Sequence, residues 1–207
     1  TRYLRDGKDF SCDYFASAPD SVIVIRLCSQ SPEGIRALLS FDSQLPHATS
    51  ARNNEISAEG YAAYHSYPVY YDDVTEKHLY DPDRGIHFRT LVKVLTKDGQ
   101  VKSYPSGELK LEGVHEAVVL VANATSFNGF DKDPVREGRD YRTLAERRIS
   151  QAAAKSYDEL HRNHVADYQY FFNRVKLDLG RTASDIAALP TDEQLRRYTD
   201  ESQYNPQ

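Results

Sequence analysis

A change of period constrains this chain more than any other feature. Through the first 125 residues apolar side chains recur as strands place them, and from about residue 136 they recur at three and four, as along helices. In "SVIVIRL" (21–27) and "EAVVLVANAT" (116–125) apolar residues fall on both parities. That is expected of central strands covered on both faces, as between two packed sheets. "DFSCDYFAS", "APDS" and "VIVIRLCS" predict a hairpin over 9–29, with Pro19 and Asp20 in its turn. "FRTLVKVLTKDGQVKSYPSGELKLEG" (88–113) predicts another, folded at Asp98-Gly99, with Lys93, Lys97 and Lys102 marking an exposed face or edge.

The helical part opens with "REGRDYRTLAERRISQAAAKSYDELHRNHVADYQYFFNRV" (136–175), which reads as two helices. Ser156 with Glu159 heads the second in a capping-box arrangement. Leu160, His164, Tyr168, Phe171, Phe172 and Val175 form one broad apolar stripe, expected to be buried as a strut against a partner. "RTASDIAALP" (181–190) reads as a loop, and Thr191 to Gln194 starts a short helix that stops in "TDESQYNPQ". Strands followed by helices describe either an α+β chain or a β-domain with a helical connector.

Charge and length narrow the function classes. With 26 Lys and Arg against 31 Asp and Glu, the net charge of −5 offers no footprint for a phosphate backbone, so nucleic acid is not an expected partner. The longest apolar runs, at 22–25 and 117–122, are far too short to span a bilayer. The start at Thr1 rather than Met reads as a processed or cut end. Cys12 and Cys28 lie on the two arms of the first predicted hairpin, and a three-residue turn places them opposite each other. Two buried free thiols are favoured there over a strained disulfide.

Candidate chemistry is sparse. His161, His164 and Asp167 lie in "HRNHVAD", but the histidines are three apart rather than four and one is on the apolar stripe, so packing is favoured over zinc. Asp131 and Asp133 lack the glycine and distal glutamate of a calcium loop. Asp72 with Asp73, and Asp81 with Asp83, offer paired carboxylates, yet neighbours on a strand point to opposite faces and "HLYDPDRG" has turn character. Asn123 with Thr125 forms a glycosylation sequon inside an apparent buried strand. No catalytic residue, metal site or cofactor is expected.

One stretch stands apart: "YAAYHSYPVYYDD" (61–73) holds five tyrosines in a chain without tryptophan. Tyr61, Tyr64, Tyr67 and Tyr70 are spaced by three, which alternates faces in an extended chain, so they are not expected to share one platform. Amphipathic rings of this kind stack on sugars or pack at domain interfaces, and packing is the favoured expectation.

Three blocks carry a resemblance: "DYFASAPDSVIVIRL" (13–27), "VLVANATSF" (119–127) and "KSYDELHRNHVADYQYFFNRVKLDLG" (155–180), with "TDEQLRRY" following. Together and in this order they resemble the N-terminal region of glycoside hydrolase family 95, whose best-known members are α-L-fucosidases. The resemblance implies a mainly β chain, an antiparallel β-sandwich over 1–130, incomplete at its N-terminal side, and a helical linker over 131–207 toward an (α/α)6 barrel. An incomplete sandwich exposes a sheet face or edge and favours pairing with another copy. The barrel, expected as partner in the same parent chain, carries the inverting acid and base, and none of its motifs matches a position here. The implied function is an accessory domain of an enzyme removing terminal α-L-fucose, or a related L-sugar, from glycans; a carbohydrate-binding module or a scaffold without ligand are the alternatives. A fucosylated glycan at the parent's active site, a periplasmic or extracellular location, and sugar contacts from His65, Tyr67, Tyr70 and Tyr71 complete the expectations.

Overall fold

The computed structural model describes residues 1–5 and 7–200. In chain order its strands are β1 (Arg2–Arg5), β2 (Lys8–Ser17), β3 (Val22–Ser29), β4 (Ile35–Ser40), β5 (His47–Arg52), β6 (Glu55–Tyr61), β7 (His65–Ser66), β8 (His78–Leu79), β9 (His87–Thr96), β10 (Gln100–Tyr104), β11 (Glu108–Val114) and β12 (Glu116–Thr125). The helices are α1 (Tyr141–Ala153), α2 (Tyr157–Phe172), α3 (Ser184–Ala187) and α4 (Thr191–Asp200). Seven strands form one antiparallel sheet in the order β1-β2-β3-β12-β9-β6-β5, and β10-β11-β4 form a second. The chain is thus mainly β, with its helices following the strands. Two compact units result, Thr1–Asp167 and the residues from Tyr168 onward.

The runs with apolar residues on both parities become β3 and β12, which pair with each other inside the large sheet. One face of that sheet meets the small sheet: Ile56, Val94, Ala117 and Val119 pack with Leu109, Leu111 and Val114. The other face, through Val24, Leu91, Leu120 and Ala122, is covered by Ala145, Ile149 and Ala152 of α1 and by Leu160 of α2. Apolar side chains on both parities are what two-sided cover requires. Seven strands against three leave the β1–β2 end of the large sheet with exposed Tyr3, Leu4 and Tyr14.

The predicted hairpin at Asp98-Gly99 is a crossover between sheets. Both edges of β9 are already hydrogen-bonded, to β12 and to β6, so β10 has no edge of β9 to pair with and joins β11 instead. Asp98 fixes the crossover by accepting the His115 backbone N–H at 3.1 Å and contacting His115 Nδ1 at 2.7 Å. The hairpin lies one strand later, where Gly107, at φ 95°, donates its N–H to the Tyr104 carbonyl at 3.0 Å. A signal for a tight turn specifies the bend and not which strand the exit joins.

The register of β2 with β3 sets Cys12 opposite Leu27 and Cys28 opposite Ser11. The cysteines are therefore not face to face as expected: a one-residue offset sends their side chains to opposite faces of the sheet, and both are free thiols.

Helix α1 is capped by the Asp140 carboxylate, which accepts the Thr143 N–H at 3.1 Å. At the head of α2, Ser156 Oγ accepts the Glu159 N–H at 3.2 Å. The expected buried strut is met over its first two turns, at Leu160 and at the half-buried His164 against Phe15. Leu160 is fully buried, but Tyr168 is 55% exposed, Phe172 is 62% exposed, and Phe171 and Val175 are exposed as well. Helical periodicity reports which side of a helix is apolar; whether a partner covers it depends on what else is folded against it. Within "RTASDIAALP", read as a loop, α3 forms one turn and buries Ile186. The Thr191 start matches the first residue of α4, whose Gln194 Nε2 donates to the Leu189 carbonyl at 2.8 Å, while the end of "TDESQYNPQ" lies outside the described residues.

Candidate functional site

Between β6 and β9 the chain leaves the large sheet and returns through a small hairpin, β7 with β8. Its base is closed by the Ala62 N–H to the Ile86 carbonyl, 2.9 Å, and by Gly85, where a Cβ would stand 2.3 Å from the Ala62 carbonyl oxygen. Further out, the Tyr64 N–H donates to Leu79 at 3.0 Å and the Tyr67 N–H to Lys77 at 2.8 Å. A turn from Pro68 to Tyr71, closed at 3.1 Å, makes the tip. "DPDRG" folds a second turn, in which Pro82 takes the second position and supplies the fixed φ it uses, with the Asp81 carboxylate accepting the Asp83 N–H at 2.9 Å.

That turn brings together what strand alternation would separate. His65 meets Tyr67 edge-on at 4.4 Å between centroids, Tyr67 lies 6.3 Å from Tyr71, and Tyr71 lies 5.6 Å from Tyr70. The four candidate residues thus form one continuous chain of rings. Tyr70 is 75% exposed, and Tyr71 and Val69 are exposed beside it. The remaining tyrosines of the stretch are elsewhere: Tyr61 packs near His87 at 5.9 Å, and Tyr64 lies under the Arg84 guanidinium at 3.8 Å. The Arg84 clamp and the His78 Nδ1 contact to Ser66 Oγ at 3.1 Å were not visible in the sequence, because both depend on the pairing of β7 with β8. Asp72, Asp73 and Glu76 flank the rings as exposed carboxylates.

The other candidates fall into structural roles. His161 and His164 pack on the Phe15 ring, at 5.5 and 4.9 Å. Asp133 accepts the N–H groups of Val135 and Arg136 at 2.8 Å, which holds its carboxyl below the usual range. Asn123 Nδ2 donates to Thr90 Oγ1 at 2.6 Å. Among the described residues no group of three or more His, Cys, Asp or Glu side chains is placed to hold a metal ion, and no helix is long and apolar enough to cross a membrane.

Comparison with known proteins gives this architecture a lineage. Residues 156–207 match the family model described as glycosyl hydrolase family 95 catalytic domain, so the helices expected as a linker fall, from α2 on, within that match. Over 204 residues the chain is 32% identical to "Alpha-L-fucosidase 2" of Arabidopsis thaliana, covering 95% of this chain and 24% of that relative. The chain therefore spans about a quarter of that relative's length. A solved structure titled "Putative kojibiose phosphorylase from human microbiome" aligns with a TM-score of 0.48 at 13% identity, over 83% of this chain and 21% of its own. Residues 1–129, more than half of the chain, match the model described as glycosyl hydrolase family 65, N-terminal domain, and the chain belongs to that family.

Proposed function

We propose that this chain supplies the accessory β-domain and the first helices of a hydrolase that removes terminal α-L-fucose, or a related L-sugar such as L-galactose, from glycans with inversion. The observation that carries this is the order of the matches: a family 65 N-terminal domain over 1–129 and then a family 95 catalytic match over 156–207, across a chain 32% identical to an α-L-fucosidase. Inversion needs an acid and a base roughly 6.5–9.5 Å apart with water between them. In this reading both belong to the barrel of the parent polypeptide. The exposed apolar run of α2 and beyond, Tyr168, Phe171, Phe172 and Val175, is the surface that such a barrel covers. An exported location, periplasmic or extracellular, accompanies a glycan substrate.

The test compares residues 1–207 with the parent polypeptide on a 2'-fucosylated oligosaccharide, following the anomer released by proton NMR. Release of the inverted sugar by the parent alone is the expected result. Release by residues 1–207, or retention of configuration, overturns it.

A further inference from the structure

We propose that the tip of the β7–β8 hairpin, His65, Tyr67, Tyr70 and Tyr71, is a binding platform for neutral hexopyranose residues of a glycan, distinct in chemistry from the surface that meets the barrel. The inference rests on the glycan-hydrolase reading above and names the part of the ligand that this arm contacts. Among the described residues aromatic side chains are exposed in several places, among them Tyr3 and Tyr14, Phe127 and Phe130, the run from Tyr168 to Phe172, and the hairpin tip. Along 171–179 the exposed Phe171, Phe172, Val175, Leu177 and Leu179 alternate with charges of both signs, Arg174, Lys176 and Asp178. Around Tyr71 the neighbours are Asp72, Asp73 and Glu76. Interface cores are depleted in charge, so the hairpin tip is a poor one.

It is a good sugar surface. The connected rings offer apolar faces on which the C–H face of a pyranose stacks, the phenolic hydroxyls donate and accept, and the exposed Asp72 and Asp73 carboxylates accept from sugar hydroxyls. The stem is held before ligand arrives by the two cross-hairpin backbone bonds and by Arg84 stacked on Tyr64, so ordering costs little on binding. The same carboxylates repel anionic glycans, which gives the platform a sign preference.

The experiment titrates isotope-labelled residues 1–207 with a neutral fucosylated trisaccharide, its unfucosylated core disaccharide and a sialylated counterpart, reading amide shifts by NMR. Shifts centred on residues 65–79 with both neutral sugars are expected, with little response to the sialylated one. Tyr70→Ala with Tyr71→Ala weakens binding about tenfold, and Tyr71→Phe, which keeps the ring, retains most of it; unchanged thermal melting shows each variant folded. No shift with any neutral sugar, or equal affinity in the double variant, overturns the platform. So do shifts at 65–79 that arise only on adding the parent's remaining catalytic polypeptide, which assign the tip to protein packing. If the core disaccharide binds here while the parent releases no fucose, the platform stands and the fucose reading alone falls.

Discussion

Lys155 Nζ sits 2.5 Å from Asp20 Oδ1, joining the β2–β3 turn to the link between α1 and α2. The Asp20 side chain is 1% exposed and also accepts the Ser17 hydroxyl at 2.7 Å. The Lys155–Asp20 contact, with Arg89–Glu146 at 2.7 Å and Arg142–Glu59 at 2.9 Å, ties the sheet to its helical cover.

Removing the cation leaves a carboxylate with no counter-charge in a buried place. Lys155→Ala is expected to cost about 2 kcal/mol, the low side for a broken buried pair because Lys155 is itself partly solvated. Lys155→Met with Asp20→Asn recovers much of that, since the stranded charge is gone. Urea unfolding of the variants reads both values, and a single-variant loss within about 0.5 kcal/mol would assign the contact to the surface class.

The same pair sets a pH dependence. Burial pushes the Asp20 carboxyl up, but the hydrogen bonds from Lys155 and Ser17 outweigh it and hold it below the ordinary aspartate value. A carboxyl with a lowered folded pKa contributes stability above its unfolded pKa and loses it as pH falls through the folded value. The stability difference between wild type and Asp20→Asn therefore shrinks from about pH 5 downward and is flat from about pH 6 to pH 8. Denaturation at stepped pH measures it, and a difference that grows on acidification contradicts the sign.

Gly99 distinguishes a crossover from a hairpin turn. At φ 66° it tolerates Asn on backbone grounds alone, but a Cβ there would stand 2.6 Å from the Gly113 carbonyl oxygen and 2.7 Å from Val114 Cγ2. Gly7, at φ 71°, has nothing within 4 Å of the same position. Gly99→Asn is expected to destabilise by roughly 2 kcal/mol and Gly7→Asn by well under about 1 kcal/mol. Equal melting temperatures for the two variants would contradict the crowding of the crossover.

What could be read in the residues follows from range. The β2–β3 hairpin and the central place of β3 and β12 were legible because alternation and local turn chemistry dictate them. Asp98-Gly99 was misread because the partner of β10 is decided by β12 and β6 saturating β9, contacts distant in sequence. The one-residue offset of Cys12 from Cys28 likewise depends on register, which residue counting across a turn leaves open by one. At the hairpin tip the residue types were legible, but the gathering of Tyr67, Tyr70 and Tyr71 needed the turn at Pro68.

The thiols yield a chemical prediction. Cys12 is buried and Cys28 half-buried, on opposite faces of the β2–β3 pair. Under native conditions a maleimide reagent is expected to label Cys28 first, and unfolding without reductant exposes two thiols per chain. Mass spectrometry counts the adducts. A single species lacking both thiols after air oxidation would show a disulfide that this register forbids.

Leu160 and Phe172 lie on the same helix, and only the first is buried. Leu160 packs into the cluster with Val24, Leu120 and Ile149, so Leu160→Ala is expected to destabilise the β-unit by about 2–4 kcal/mol through lost burial and the cavity left behind. Phe172→Ala removes a larger side chain, but one already 62% exposed, and is expected to change the unfolding midpoint of residues 1–207 very little. In the parent polypeptide the ranking shifts: Phe172→Ala there costs stability as well, because the proposed barrel covers this surface. Parallel denaturant titrations of the two variants in both contexts separate the cases. A large loss from Phe172→Ala in residues 1–207 would place that ring in a core, and an unchanged parent would remove the barrel from this surface.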